Sequence, residues 1–236
     1  MEINGHEIQF KDNAVFLEEN KILILADVHV GMEEFIRRNG VLFPLNEKKE
    51  LLKRLKNLIV EFKPEKLVFL GDFLHHFQKV PYKVYETIRE LNSLLKNYEI
   101  IVIRGNHDIM LEYILKENTN FKILDYLLEN KILMIHGDKK FDIDFNFDLL
   151  IMGHEHPVLE INKQRFPSYL EIVQNDFKIL VAPAFSNIAS GVKINELESN
   201  FMSPYLKKVK KEDIFPIIIG EEVLKFPDLS KIEKFL

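Results

Sequence analysis

Five short apolar runs stand out along the chain, and each stops abruptly on polar side chains: KILILAD (21–27), KLVFLGD (66–72), EIIVIRGNHD (99–108), KILMIHGD (131–138) and DLLIMGHEH (148–156). Their length and their Ile, Leu and Val content predict strands buried on both faces. Between the first three lie longer, charged stretches with helical spacing. Residues 45–62, LNEKKELLKRLKNLIVEF, place Leu51, Leu52, Leu55, Leu58 and Ile59 on one face, and residues 82–95 follow the same rule. Alternation of strand and helix points to an α/β sheet. After Gly153 the pattern changes: VLEI, YLEIV, KILVAP and FPIIIG read as strands joined by Asn, Pro and Gly turns, which predicts antiparallel pairing. No Gly/Ser-rich linker, low-complexity tract or fixed-period repeat interrupts the chain. Residues 1–236 are therefore expected to form a single domain, with 195–236 as a C-terminal extension packed on it.

The chemistry sits where the apolar runs end. Asp27 with His29, Asp72 with His75 and His76, Asn106 with His107 and Asp108, His136, and His154 with His156 use seven of the eight histidines. A lone His or Asp after a strand is usually a turn or capping residue. Five such clusters in order are a different matter, because the carboxyl ends of strands in open α/β folds converge on one crevice. His6 stands apart and reads as a surface residue.

Composition narrows the choices. With no cysteine among 236 residues, disulfides, thiolate metal sites and a cysteine nucleophile are excluded, so any metal is held by His, Asp, Glu or Asn. A net charge of −5 argues against coating nucleic acid by bulk electrostatics, although Arg37 with Arg38, Lys163 with Arg165, and the run 207–211 could line a local groove. Neither a membrane-spanning run nor a signal peptide is evident, and a cytoplasmic location is expected.

The ordered set DVH (27–29), GDFLH (71–75), GNHD (105–108), HG (136–137) and GHEH (153–156) resembles the signatures of the calcineurin-like metallophosphoesterase superfamily. The resemblance implies a four-layer α-β-β-α sandwich, with mixed sheets, outer helices and a two-metal site. Asp27, His29, Asp72 and His156 would hold one ion, and Asp72, Asn106, His136 and His154 the other. Asp72 would bridge them, and His107 would stand near the leaving group. Oxygen and imidazole ligands suit divalent transition metals such as Mn²⁺, Fe²⁺, Ni²⁺ or Zn²⁺ without selecting among them, and Mn²⁺ is the ion expected. Such a pair, roughly 3.5 to 4 Å apart, activates a shared water and clamps a phosphoryl group, and His107 is placed to protonate the departing alkoxide. Asp108 either orients that imidazole or caps the helix that IMLEYIL begins.

Beyond these motifs, ADVHVGMEEFIRRNGVLFP (26–44), GHEHPVLEI, APAFSN (182–187) and SG (190–191) are similar to the ligase-associated endonuclease family often called PdeM and to archaeal SbcD-related phosphoesterases. This implies a small DNA-repair-associated phosphodiesterase acting on DNA or RNA. His75 would stand behind the metal ligands or on the substrate side, His76 would contact phosphate or occupy a surface turn, and Arg37 and Arg38 would touch a nucleic acid backbone. Two alternatives stay open at this stage: a hydrolase of small phosphoesters such as cyclic nucleotides, and a non-catalytic scaffold. The sequence names no protein partner and leaves room for a homodimer.

Overall fold

The computed structural model describes residues 1–41, 46–75, 80–116, 120–142, 144, 146–196 and 201–232. One sheet takes its seven strands in chain order: β1 (Glu2–Ile3), β2 (His6–Lys11), β3 (Ala14–Leu17), β4 (Ile22–Ala26), β5 (Lys66–Leu70), β6 (Glu99–Ile103) and β7 (Phe121–Leu124). The first three pairings are antiparallel, and β4 through β7 run parallel. Helices α1 (Met32–Arg38), α2 (Glu47–Phe62), α3 (Tyr82–Leu95) and α4 (Leu111–Leu115) fall between the parallel strands.

The second sheet contains β8 (Leu127–Glu129), β9 (Ile132–Ile135), β10 (Leu149–Met152), β11 (Pro157–Ile161), β12 (Gln164–Val173), β13 (Lys178–Val181), β14 (Val192–Lys193), β15 (Ile214–Ile219) and β16 (Val223–Lys225). As the turn-rich pattern predicts, β12 pairs antiparallel with β11, β13 and β15. The strands next to the site, β9 and β10, are parallel.

Strand alternation builds the layers. In β4, Leu23 and Leu25 join the α2/α3 side, where Leu51, Leu55, Leu58 and Ile59 of α2 are buried, while Ile22, Ile24 and Ala26 face the other sheet. Ile132 and Met134 of β9 meet them there, and Leu133 and Ile135 point outward. Tyr169 crosses between sheets, its hydroxyl donating to the Ala14 carbonyl at 2.9 Å. The second sheet's outer face is covered by residues 201–209 and the short helix α5 (Leu229–Ile232), not by long helices, because Phe201, Leu206, Leu229 and Ile232 supply its apolar cover. Among the described residues no helix is long and apolar enough to cross a membrane. The architecture is the expected α/β sandwich of two large mixed sheets.

Candidate active site

Each of β4, β5, β6, β9 and β10 stops just before one of the polar clusters, so the five loops emerge along one edge of the two facing sheets. Their backbone is unusual. Asp27 (φ 53), His29 (φ 49), Asp72 (φ 43), His154 (φ 71) and His156 (φ 45) all adopt the left-handed conformation, which costs a non-glycine residue roughly 1 kcal/mol or more and persists where surrounding contacts demand it. The same loops are closely packed. A Cβ on Gly105 would lie 2.2 Å from the Asp72 backbone nitrogen and Oδ1, and one on Gly71 would lie 2.1 Å from His136 Nδ1.

The two carboxylates are each anchored by one oxygen. Asp27 Oδ2 accepts from the His154 N–H and Asp72 Oδ1 from the His107 N–H, both at 2.9 Å. The other oxygens face the histidines: Asp27 Oδ1 lies 3.3 Å from His156 Nε2 and 3.6 Å from His136 Nδ1, and Asp72 Oδ2 lies 4.0 Å from His29 Nε2 and 3.9 Å from His107 Nε2. Asp27 Oδ1, His29 Nδ1 and His156 Nε2 are buried without a hydrogen-bond partner.

His136 is the most informative member. Its Nδ1 meets the Leu70 carbonyl at 3.4 Å, and a carbonyl only accepts, so Nδ1 carries the proton and Nε2 presents a lone pair. Around that lone pair lie Asn106 Oδ1 at 3.0 Å, His154 Nδ1 at 3.2 Å and Asp72 Oδ1 at 3.5 Å. Donor atoms bound about 2.1 Å from one cation at tetrahedral to octahedral angles stand about 3 to 3.4 Å apart. The spacing fits that geometry, and Asp27 with His29 and His156, or with Asp72 and His136, also fits a metal.

The electrostatics agree. Burial pushes the Asp27 carboxyl up, but His156, His136 and His29 outweigh it and hold Asp27 below the ordinary value. Asp72 is raised to about 8, first by burial and then by the Asp27 charge, against the His107 N–H. Burial pushes His29 down to about 3 and lowers His136. Burial also pushes His156 down, but the Asp27 charge leads the effects that outweigh it and raise that ring. Without a cation the site therefore carries neutral His29 and His136 and a protonated Asp72 beside an ionised Asp27, and a divalent ion would reverse that balance.

The calcineurin-like phosphoesterase family model matches residues 20–144, just over half the chain. The chain belongs to the calcineurin-like phosphoesterase family. Members are metal-dependent hydrolases, which accords with the His/Asp cluster. The nuclease MPE of Pseudomonas putida shares the fold, with a TM-score of 0.69 at 21% identity over 96% of this chain and 98% of that one. Yfce, a phosphoesterase from E. coli, aligns with a TM-score of 0.44 at 15% identity over 88% of this chain and 98% of that one. No curated protein matches the sequence.

The segment GHEH lies beyond the matched residues, yet His154 and His156 line the same cleft as His29 and Asp72. His75 is there too, its ring stacked on that of His107 with centroids 5.6 Å apart and 16° between planes. His76 lies outside the described residues. Arg37 pairs with Glu33 one turn earlier and lines a separate cleft with Lys48, Lys83 and Glu90, and neither it nor exposed Arg38 is among the residues lining the histidine cleft.

Asp108 binds backbone amides of two site loops. Its Oδ2 accepts from the Gly105 and Phe73 N–H groups at 2.9 and 3.3 Å and its Oδ1 from Leu74 at 2.8 Å, so it ties two site loops together. The side chain does not cap α4. Burial, opposed by these three amides, raises it to about 6. Asp108→Ala leaves three buried N–H groups unpaired, and since each orphan costs about 1–3 kcal/mol, chemical denaturation is expected to show a loss of about 3 kcal/mol or more.

Three contributors went unnoticed in the sequence. Arg54 of α2 donates to the Phe185 carbonyl at 2.6 Å and Asn187 Oδ1 at 2.9 Å, its guanidinium lying 3.9 Å over the Phe185 ring, and so holds the 182–187 loop against the site. That loop reaches β4 through the Phe185 N–H to the Ala26 carbonyl at 2.7 Å. Buried Glu155 accepts from the Ser203 N–H at 2.6 Å and fixes Met202 at the cleft wall. Helical spacing hides Arg54 among solvated charges, and nothing local marks Glu155 or Met202.

Proposed function

We propose that this member of the family is a dinuclear-metal-dependent phosphodiesterase acting on nucleic acid, associated with DNA repair. Asp27, His29, Asp72 and His156 hold one ion, Asp72, Asn106, His136 and His154 the other, and Mn²⁺ is the metal of choice. The observation that carries this reading is the crowd of oxygen and imidazole donor atoms around His136 Nε2, a ligand set that suits a divalent transition metal. The nuclease assignment draws on the likeness of residues 26–44 and 182–191 to DNA-processing relatives and on the fold shared with the P. putida nuclease.

Bound ions supply a nucleophile at neutral pH and positive charge against the phosphoryl oxygens. The chain does the rest. Asp72 holds the His107 backbone through one oxygen, which sets the ring beside the cleft with its Nε2 3.9 Å from Asp72 Oδ2. From there His107 gives its proton to the departing oxygen as the P–O bond breaks. His75 stacks on the same ring and limits its rotation. Asp108 keeps the two loops in register from below. Residues 195–236 act as an extension of the same unit, a reading supported by the packing of Phe201, Leu206, Leu229 and Ile232 with β9 and β10.

Chelator-treated protein reloaded with Mn²⁺ is expected to bind about two ions per chain and to cleave a bis-aryl phosphate and labelled DNA. Elemental analysis and a substrate panel read both. Hydrolysis of monoesters alone would remove the diesterase assignment. One observation favours a second reading, hydrolysis of a small phosphodiester: the cleft is about 350 Å³, and its described lining carries no Lys or Arg. Turnover of aryl or cyclic diesters with intact DNA and RNA would select it.

A further inference from the structure

We infer that Phe35 forms the floor of a subsite for the planar base of the nucleoside expelled from phosphorus, a specificity element that rests on the nuclease reading above. Three rings run outward from the proton donor. His107 and His75 lie nearly parallel at 5.6 Å, and His75 meets the ring of Phe35 at 4.6 Å and 63°. Phe35 belongs to a helix of seven residues whose one buried side chain is Glu33, and it remains 42% exposed while touching a histidine of the site. An aromatic residue left half in water at the end of such a row presents a flat apolar surface to whatever enters beside His107.

Two further observations select a base as the occupant. In an in-line displacement the departing group lies opposite the nucleophile, on the side of the group that protonates it. If His107 serves the leaving oxygen, the rest of the leaving group extends over His75 and Phe35. Next, the described residues lining the cleft include Met32, Val192 and Met202 but no Lys or Arg, so contact inside it comes from apolar and stacking surfaces; Phe35 stands beyond that lining and is reached through the His75 ring. A nucleoside fits both conditions. Its sugar carries the oxygen, and its base offers a π-face to an aromatic ring whatever its identity.

The test crosses the protein with its substrate. With Mn²⁺, the wild type, Phe35→Ala and Phe35→Trp are compared on a deoxydinucleoside monophosphate and on two versions lacking the base on one side or the other, and products identify the departing half. The loss of kcat/KM caused by Phe35→Ala is expected to be about tenfold larger on substrates that keep the leaving-side base than on the one that lacks it, and Phe35→Trp is expected to restore the difference. Equal losses on all three substrates would mean that Phe35 only supports the fold or the His75 ring, and would overturn the subsite. A wild type that hydrolyses an aryl phosphodiester but no dinucleotide or oligonucleotide removes the nuclease reading, and the subsite with it, which is a distinct result.

Discussion

Asp72→Asn is expected to lower phosphodiester turnover by more than about 100-fold, the upper range for loss of a residue one step further from a metal. The side chain sits at the centre of the cleft, within 3.5 Å of His136 and about 4 Å of both His29 and His107. Asparagine keeps the size and can still accept from the His107 N–H, so the loss reports on charge. The same variant has a second signature. Because Asp72 is raised from the ordinary 3.8 to about 8, its share of stability in metal-stripped protein is present below the lower value and lost as pH rises through the upper one. Asp72→Asn removes that loss. Stripped variant is therefore expected to melt above stripped wild type near pH 8, with the gap closing toward pH 4. Metal uptake by wild type at pH 7 should expel a proton that the variant lacks, and titration calorimetry in buffers of different ionisation enthalpy measures it. A variant that keeps full turnover would remove Asp72 from the centre of the chemistry.

His107→Ala is expected to lower kcat by about 10² to 10⁴ on DNA, the usual contribution of a positioned proton donor. On a p-nitrophenyl diester the drop should be much smaller, since that leaving group departs without a proton. Metal content should stay near wild type, because the ring nitrogens are not among the atoms gathered around His136 Nε2, and the backbone N–H that anchors Asp72 is retained by alanine. An equal loss on both substrates would assign His107 to binding or metal retention instead of proton transfer.

The site was legible because its signal is local and repeated. Each apolar run ends on a cluster, and strand geometry alone brings such ends together, so Asp27, Asp72, His136 and His154 meet although up to 127 residues separate them. The helix of 47–62 was equally plain, its apolar spacing closing on Lys63 in a left-handed turn. What the sequence concealed depends on contacts with no local trace. The first three strands are short and joined by turns at Asn4 and Asn13, giving little periodicity to read. Asp108 looks identical in sequence whether it supports an imidazole or three amides, and only the approach of residues 73 and 74 decides.

Asp27, Asp72 and Asn106 come from one sheet, whereas His136, His154 and His156 come from the other, and the bond from the His154 N–H to Asp27 crosses between them. An ion held there acts as a rivet through the sandwich. Its binding energy is drawn on whenever the halves try to separate, so melting temperature should climb with free metal concentration, and a lesion far away that merely loosens the seam would first be noticed as metal starvation.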